Sequence, residues 1–131
     1  MTAITELDVL LKTMSPELVT GDYVFCTTQG GISDYLPLDP IATFRESEGL
    51  TLVLDKQNAV QASLEFDEIF SLITLTVHSS LEAVGLTAAV ANKLASRGIS
   101  ANVIAAYYHD HIFVQKEKAE LALDALNEFA S

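Results

Sequence analysis

The sequence predicts an α+β fold in which antiparallel sheets pack on helices, built as two repeats of the order strand, crossover, strand, strand, helix. Two observations predict it. TFRESEGLTLVLDKQNAVQA (43–62) lies over AYYHDHIFVQKEKAELAL (106–123) with a small shift; each is a strand end, a charged turn, an apolar strand and a lysine-bearing helix. Upstream of each is another strand-like run, YVFCTT in the first half and SLITLTV in the second. A strand, a helix and a parallel strand, with a further strand slotted between them, form the split βαβ of ferredoxin-like folds. Two subdomains are expected, residues 1–65 and 66–131, the first with its crossover helix replaced by an irregular loop. Duplication is the favoured origin, with shared hairpin patterning as the alternative.

The elements follow in order. Ile4, Leu7, Leu11 and Met14 recur at helical spacing, and Pro16 ends that segment. DYVFCTT (22–28) reads as a strand, and QGGISDYLPLDP (29–40) is turn chemistry rich in Gly, Pro, Asp and Ser. IATFRE (41–46) and LTLVLD (50–55) form a hairpin around Ser47, Glu48 and Gly49, and KQNAVQASL (56–64) suits a short helix. FSLITLTV (70–77) is a strand rich in β-branched residues. Leu86, Ala89, Val90 and Leu94 share one stripe of a helix over 86–97, which Gly98 stops. ISANVIAAYY (99–108) and HIFVQ (111–115) are strands about a tight His109–Asp110 turn. Tyr107 and Tyr108 are then expected on opposite faces of the first strand, one of them in the core. A last helix, about 117–130, carries Ala122, Ala125, Leu126 and Phe129 on one face.

Composition narrows the function. The chain has 131 residues, half of them hydrophobic, and a mean hydropathy of +0.31. Some apolar surface is therefore expected to be covered by a second subunit, as in a homo-oligomer such as a dimer. Eighteen acidic residues against seven basic ones give a net charge of -11. Such a surface repels phosphate backbones and anionic lipid, so no nucleic-acid and no membrane partner is expected. Cys26 is the single cysteine, which excludes an internal disulfide and a cysteine zinc cluster. Glu6 and Asp8 stand where a signal peptide would need positive charge, and the apolar run 69–77 is half a membrane span. A cytoplasmic protein is expected.

VGLTAAVANKLASRGISANVIAAYYHDHIFV resembles the signature stretch of ACT-like domains. More narrowly it is similar to the small bacterial tandem ACT-like proteins related to the CASTOR-type amino-acid sensors. ATFRESEGLTLVL resembles the first half of the same proteins, so the resemblance spans nearly the whole chain. It implies a ferredoxin-like (ACT-like) fold in two copies and a non-enzymatic regulatory role, with an amino acid bound at an interface between ACT units and no cofactor. The chain departs from the family pattern at four places. Ala105 and Ala106 stand where the family has Ser-Thr, and Ala88 stands where it has Gly. His109 replaces a Thr, and His111 replaces a Tyr. Two hydroxyls that could face a ligand are absent, which favours the alternative of an oligomerisation module without a working ligand site.

The candidate site is the helix start in HSSLEAVGLTAAVANKL (78–94). The first turn of a helix leaves backbone N–H groups unpaired at the positive end of its dipole, and a carboxylate is held there without a basic side chain. The amides of Val84, Gly85, Leu86 and Thr87, beside Ser79, are the candidates. In the plainer reading Ser79, Ser80 or Glu82 caps the helix and Gly85 makes the turn. Asp110 is the candidate partner for a ligand ammonium, with Tyr107 and His109 beside it. Phe44, Arg45 and Glu46 are the candidates in the pseudo-equivalent hairpin. Arg45 reads either as a clamp on a carboxylate or as a surface ion pair with Glu46 or Glu48. His109 and His111, with His78, invite a metal or acid–base reading; with Asp110 at the corner of the turn their rings should point apart, and no metal is expected. No nucleophile motif accompanies them.

Overall fold

The computed structural model describes residues 3–76 and 85–130. They form two compact units, one of the described residues in 1–20 and 71–131 and one of residues 21–70.

The first unit contains α1 (Ala3–Thr13), the opening of β1 (Pro16–Thr28), β4 (Phe70–Leu75), α4 (Leu86–Ser96), β5 (Asn102–Ala105), β6 (Asp110–Gln115) and α5 (Ala119–Asn127). Its strands lie in the order β1, β4, β6, β5. β6 thus sits between β4 and β5, which α4 joins, and this is the split βαβ that the pattern predicts. The outer place beside β4 is filled by β1. The Thr76 hydroxyl donates to the Ser15 carbonyl at 2.9 Å, which fixes the exit of β4 at the entry of β1. Period-two alternation on β6 turns Ile112 and Val114 toward the helices. There they meet Ile73 and Leu75 of β4, Leu86, Val90 and Leu94 of α4, and Ala122, Ala125 and Leu126 of α5. Leu7 and Leu11 of α1, and Met14 just past its end, close this core at the predicted helical spacing.

The stop of α4 is as predicted. Gly98 has φ +73, its N–H donates to the Ala95 carbonyl, and the Ile99 N–H donates to the Leu94 carbonyl, each at 3.0 Å. This pair of bonds is a Schellman cap.

The second unit contains the rest of β1, α2 (Ile32–Tyr35), β2 (Ala42–Glu46), β3 (Gly49–Asp55) and α3 (Lys56–Gln61). β3 lies between β2 and β1, antiparallel to both, with Phe44 opposite Thr51 and Cys26 opposite Leu52. Val24, Cys26, Leu50, Leu52, Leu54 and Ala59 make its core. Cys26 is packed there, and burial pushes its thiol pKa up. The crossover holds more order than the expected irregular loop. α2 is one helical turn and a 3-10 turn over Leu36–Leu38 follows it. Tyr35 and Leu38 from these turns pack on the core.

Two further expectations need correction. β1 begins at Pro16, six residues before the predicted strand; a first strand position tolerates a residue without an N–H. β5 ends at Ala105, so the reversal spans 106–109, closed by the Ala106 N–H donating to the His109 carbonyl at 3.0 Å. Tyr107 and Tyr108 therefore sit in the turn. Both are solvent-exposed (72% and 62%), and neither enters the core.

Candidate functional site

α4 opens on Gly85, which has φ +96 and ψ -17. A glycine N-cap offers no side-chain oxygen to the first-turn amides, and its own carbonyl accepts the Ala89 N–H at 2.9 Å. Glycine is required here for two reasons. The backbone is left-handed, and a Cβ would stand 3.1 Å from Leu7 Cδ2 of α1. Leu86 turns its side chain into the core, while Thr87 is exposed. Ser79 and Val84, with the alternative caps Ser80 and Glu82 and with His78, lie outside the described residues.

The β5–β6 hairpin and the start of α4 belong to the same end of this unit. Lys118, just past β6, donates to the Gly98 carbonyl at 2.7 Å, so the C-terminus of α4 lies by the exit of β6. The helix has eleven residues and extends about 16 Å from there toward the end where β6 begins. At that end Thr74, next to last in β4, bonds His111, second in β6, with Oγ1 and Nδ1 2.9 Å apart.

The hairpin supplies the polar groups. Asp110 is the first residue of β6, opposite Ala105, and is half-buried. The Tyr107 and Tyr108 rings meet edge to face with centroids 5.0 Å apart, and His109 lies 6.4 Å from Tyr108. Because Asp110 opens the strand rather than forming a corner, His109 and His111 are not splayed apart. Their rings lie 6.5 Å apart. Burial, and then the neighbouring His109, hold the His111 pKa below its usual value, against the opposing pull of Asp110. No three metal-ligating side chains gather among the described residues.

Three cations of this unit are committed at the far end of α4. Lys93 and Arg97 both bind Glu128, at 2.8 and 2.5 Å, and Lys118 holds the helix stop. The pair of cations brings the Glu128 pKa down to about 2.

In the second unit, Phe44, Arg45 and Glu46 lie on β2 with Phe44 71% exposed. The expected surface ion pair of Arg45 is not formed among the described residues. Glu46 instead accepts from the Thr51 hydroxyl at 2.5 Å, and Glu48 accepts from Ser47 at 2.8 Å. A feature without a sequence signal also appears here, an open cleft of about 650 Å³ lined by Gly21, Asp22, Asp55, Lys56, Gln57, Val60 and Gln61. Its walls come from β1 and α3, whose meeting no local pattern announces.

Two family models for the ACT domain match the chain, over residues 2–71 and 69–128. The chain belongs to the ACT-domain family. A Vibrio cholerae protein of unknown function and possible transport role has a crystal structure 70% identical to this ACT chain, with TM-score 0.92, covering 99% of this chain and 100% of that one. An Agrobacterium tumefaciens protein matches at 17% identity and TM-score 0.69, over 88% and 87% of the two chains. The regulatory subunit of Thermus thermophilus aspartate kinase, in ligand-free form, matches at 13% identity and TM-score 0.63, over 89% and 97%. At these lower identities the likeness is one of fold. No curated protein sequence matches significantly. Among the described residues no helix is long and apolar enough to cross a membrane.

Proposed function

We propose that this tandem ACT protein is a non-enzymatic, cytoplasmic regulatory module that binds an amino acid or similar zwitterion at the end of the first unit where α4 starts and the β5–β6 hairpin turns. The observation that carries the reading is the glycine N-cap of α4. Gly85 brings no capping oxygen of its own, and the amides of Leu86 and Thr87 follow it at the positive end of an eleven-residue helix. A ligand carboxylate suits that place. Asp110, half-buried at the start of β6, is the proposed partner of the ligand ammonium, with Tyr107 and His109 as neighbours. Ser79 and Val84 are proposed as further contacts from the segment before the helix. Phe44, Arg45 and Glu46 are proposed contacts at the corresponding hairpin of the second unit. The regulatory name of the aspartate kinase subunit with the same fold supports the reading by analogy.

A thermal-shift screen with the common amino acids tests it. A ligand at a hundred times its Kd stabilises by about 2.7 kcal/mol. A melting point that no amino acid moves overturns the proposal. A second reading, an oligomerisation module, is favoured by the exposed Phe44, Tyr107 and Tyr108. It predicts a stable homo-oligomer, such as a dimer, with no ligand response.

A further inference from the structure

We propose that the cleft between the Gly21–Asp22 segment of β1 and α3 is a second ligand site, one that takes a small organic cation carrying a primary ammonium on a short hydrocarbon stem. Its volume, about 650 Å³, falls in the range of small-molecule sites. It lies wholly in the second unit and does not depend on the amino-acid reading of the α4 end.

The lining has the chemistry of such a ligand. The lining includes two carboxylates, Asp22 and Asp55, and one ammonium, Lys56, so it is net negative. Asp55 is held in place because one of its oxygens accepts the Gln57 N–H at 2.8 Å. That bond uses one of about four acceptor positions on the carboxylate and leaves the others for a cation. Tyr23 pairs with Asp55 in register and reports the local field. Burial and then the Asp55 charge hold its phenol pKa above the usual value. Gly21 keeps the floor open, since its φ of +122 disfavours any side chain. On α3, Lys56 with Val60 and Gln57 with Gln61 are spaced four apart, so they present one face. Val60 is an apolar residue left 56% exposed on that face. It is the surface on which an alkyl stem would rest, with the Gln57 and Gln61 amides beside it.

The test uses the full chain and putrescine as probe, followed by amide chemical shifts at constant ionic strength. 1,4-Butanediol serves as the uncharged control of the same stem. Saturable shifts confined to β1 near Gly21 and to α3 are expected with putrescine and not with the diol. Asp22→Asn should weaken binding about tenfold, and Lys56→Glu should tighten it by a similar factor, as expected for one charge a few ångströms from the ligand. Equal affinity in the wild type and both variants, shifts spread over the whole acidic surface, or no saturation at millimolar putrescine would each overturn the proposal. The amide shifts locate bound putrescine at β1 and α3, away from Gly85 and Asp110, so either reading can fail alone.

Discussion

Gly85→Ala tests the geometry on which the proposed ligand site depends. At φ +96 and ψ -17 an alanine is strained by about 2 kcal/mol, the upper end for a left-handed L-residue. Its Cβ would also meet Leu7 Cδ2 at 3.1 Å. The far end of a half-buried leucine can yield by a few tenths of an ångström, at a cost of about 1 kcal/mol. Against these, alanine restricts the unfolded chain and recovers about 0.5–1 kcal/mol. The net loss is about 2 kcal/mol, or roughly 7 °C in melting temperature for a chain of this length. Urea denaturation of wild type, Gly85→Ala, Leu7→Ala and the double variant separates the two costs, because Leu7→Ala relieves only the contact and leaves the backbone strain. A Gly85→Ala protein within about 0.5 kcal/mol of wild type would show that the helix does not need this left-handed start, and the proposed carboxylate site would lose its frame.

Two predictions concern protons. The folded pKa of His111 lies below its ordinary 6.5, so the unfolded chain takes up the proton first. The stability this contributes is fully present above pH 6.5 and is lost as pH falls through the lower folded value. His109→Ala removes one of the two causes, so the His111 titration followed by NMR should move upward and the acid-side loss in urea midpoint should shrink. An unchanged His111 titration in that variant would refute the coupling. Glu128 behaves in the same direction at lower pH. With a folded pKa of about 2 against an ordinary 4.5, its contribution is present above pH 4.5 and disappears as pH falls toward 2. Arg97→Gln should raise the Glu128 titration part of the way to the ordinary value, with Lys93 still holding it below, and a carboxylate still titrating near 2 in that variant would contradict the assignment.

What the sequence made legible was local. The glycine stop of α4, the β2–β3 hairpin and the apolar stripe Leu7, Leu11, Met14 each carry their own signature within a dozen residues, and each stands where its signature puts it. The turn at 106–109 stands three residues ahead of its expected place because IAAYYHDHIF (104–113) offers no glycine, proline or asparagine to mark the reversal. Asp110, the one turn-forming residue near it, starts the returning strand instead. The long reach of β1 was hidden for a related reason. PELVTG carries two exposed polar residues and a glycine, the pattern of a loop, and its strand state depends on pairing with a partner more than forty residues away.

The candidate site divides in the same way into a legible and an illegible part. Gly85 and Asp110 could be found from the chain because a helix start and a hairpin are local objects. The contacts that specify them could not. Leu7 covers Gly85 from another helix, and Thr74 orients His111 from another strand. Both partners look like ordinary members of their own elements, an apolar helical position and a β-branched strand position. Their part in the site comes from tertiary packing alone. A chain with Gly85 and Asp110 kept but Leu7 and Thr74 exchanged would therefore read the same by motif and differ in the shape of its helix mouth and in the fixing of its hairpin. Under the amino-acid reading proposed above, Leu7→Ala and Thr74→Val are expected to change which amino acid raises the melting point, and an unchanged ligand preference in both variants would refute their part in the site.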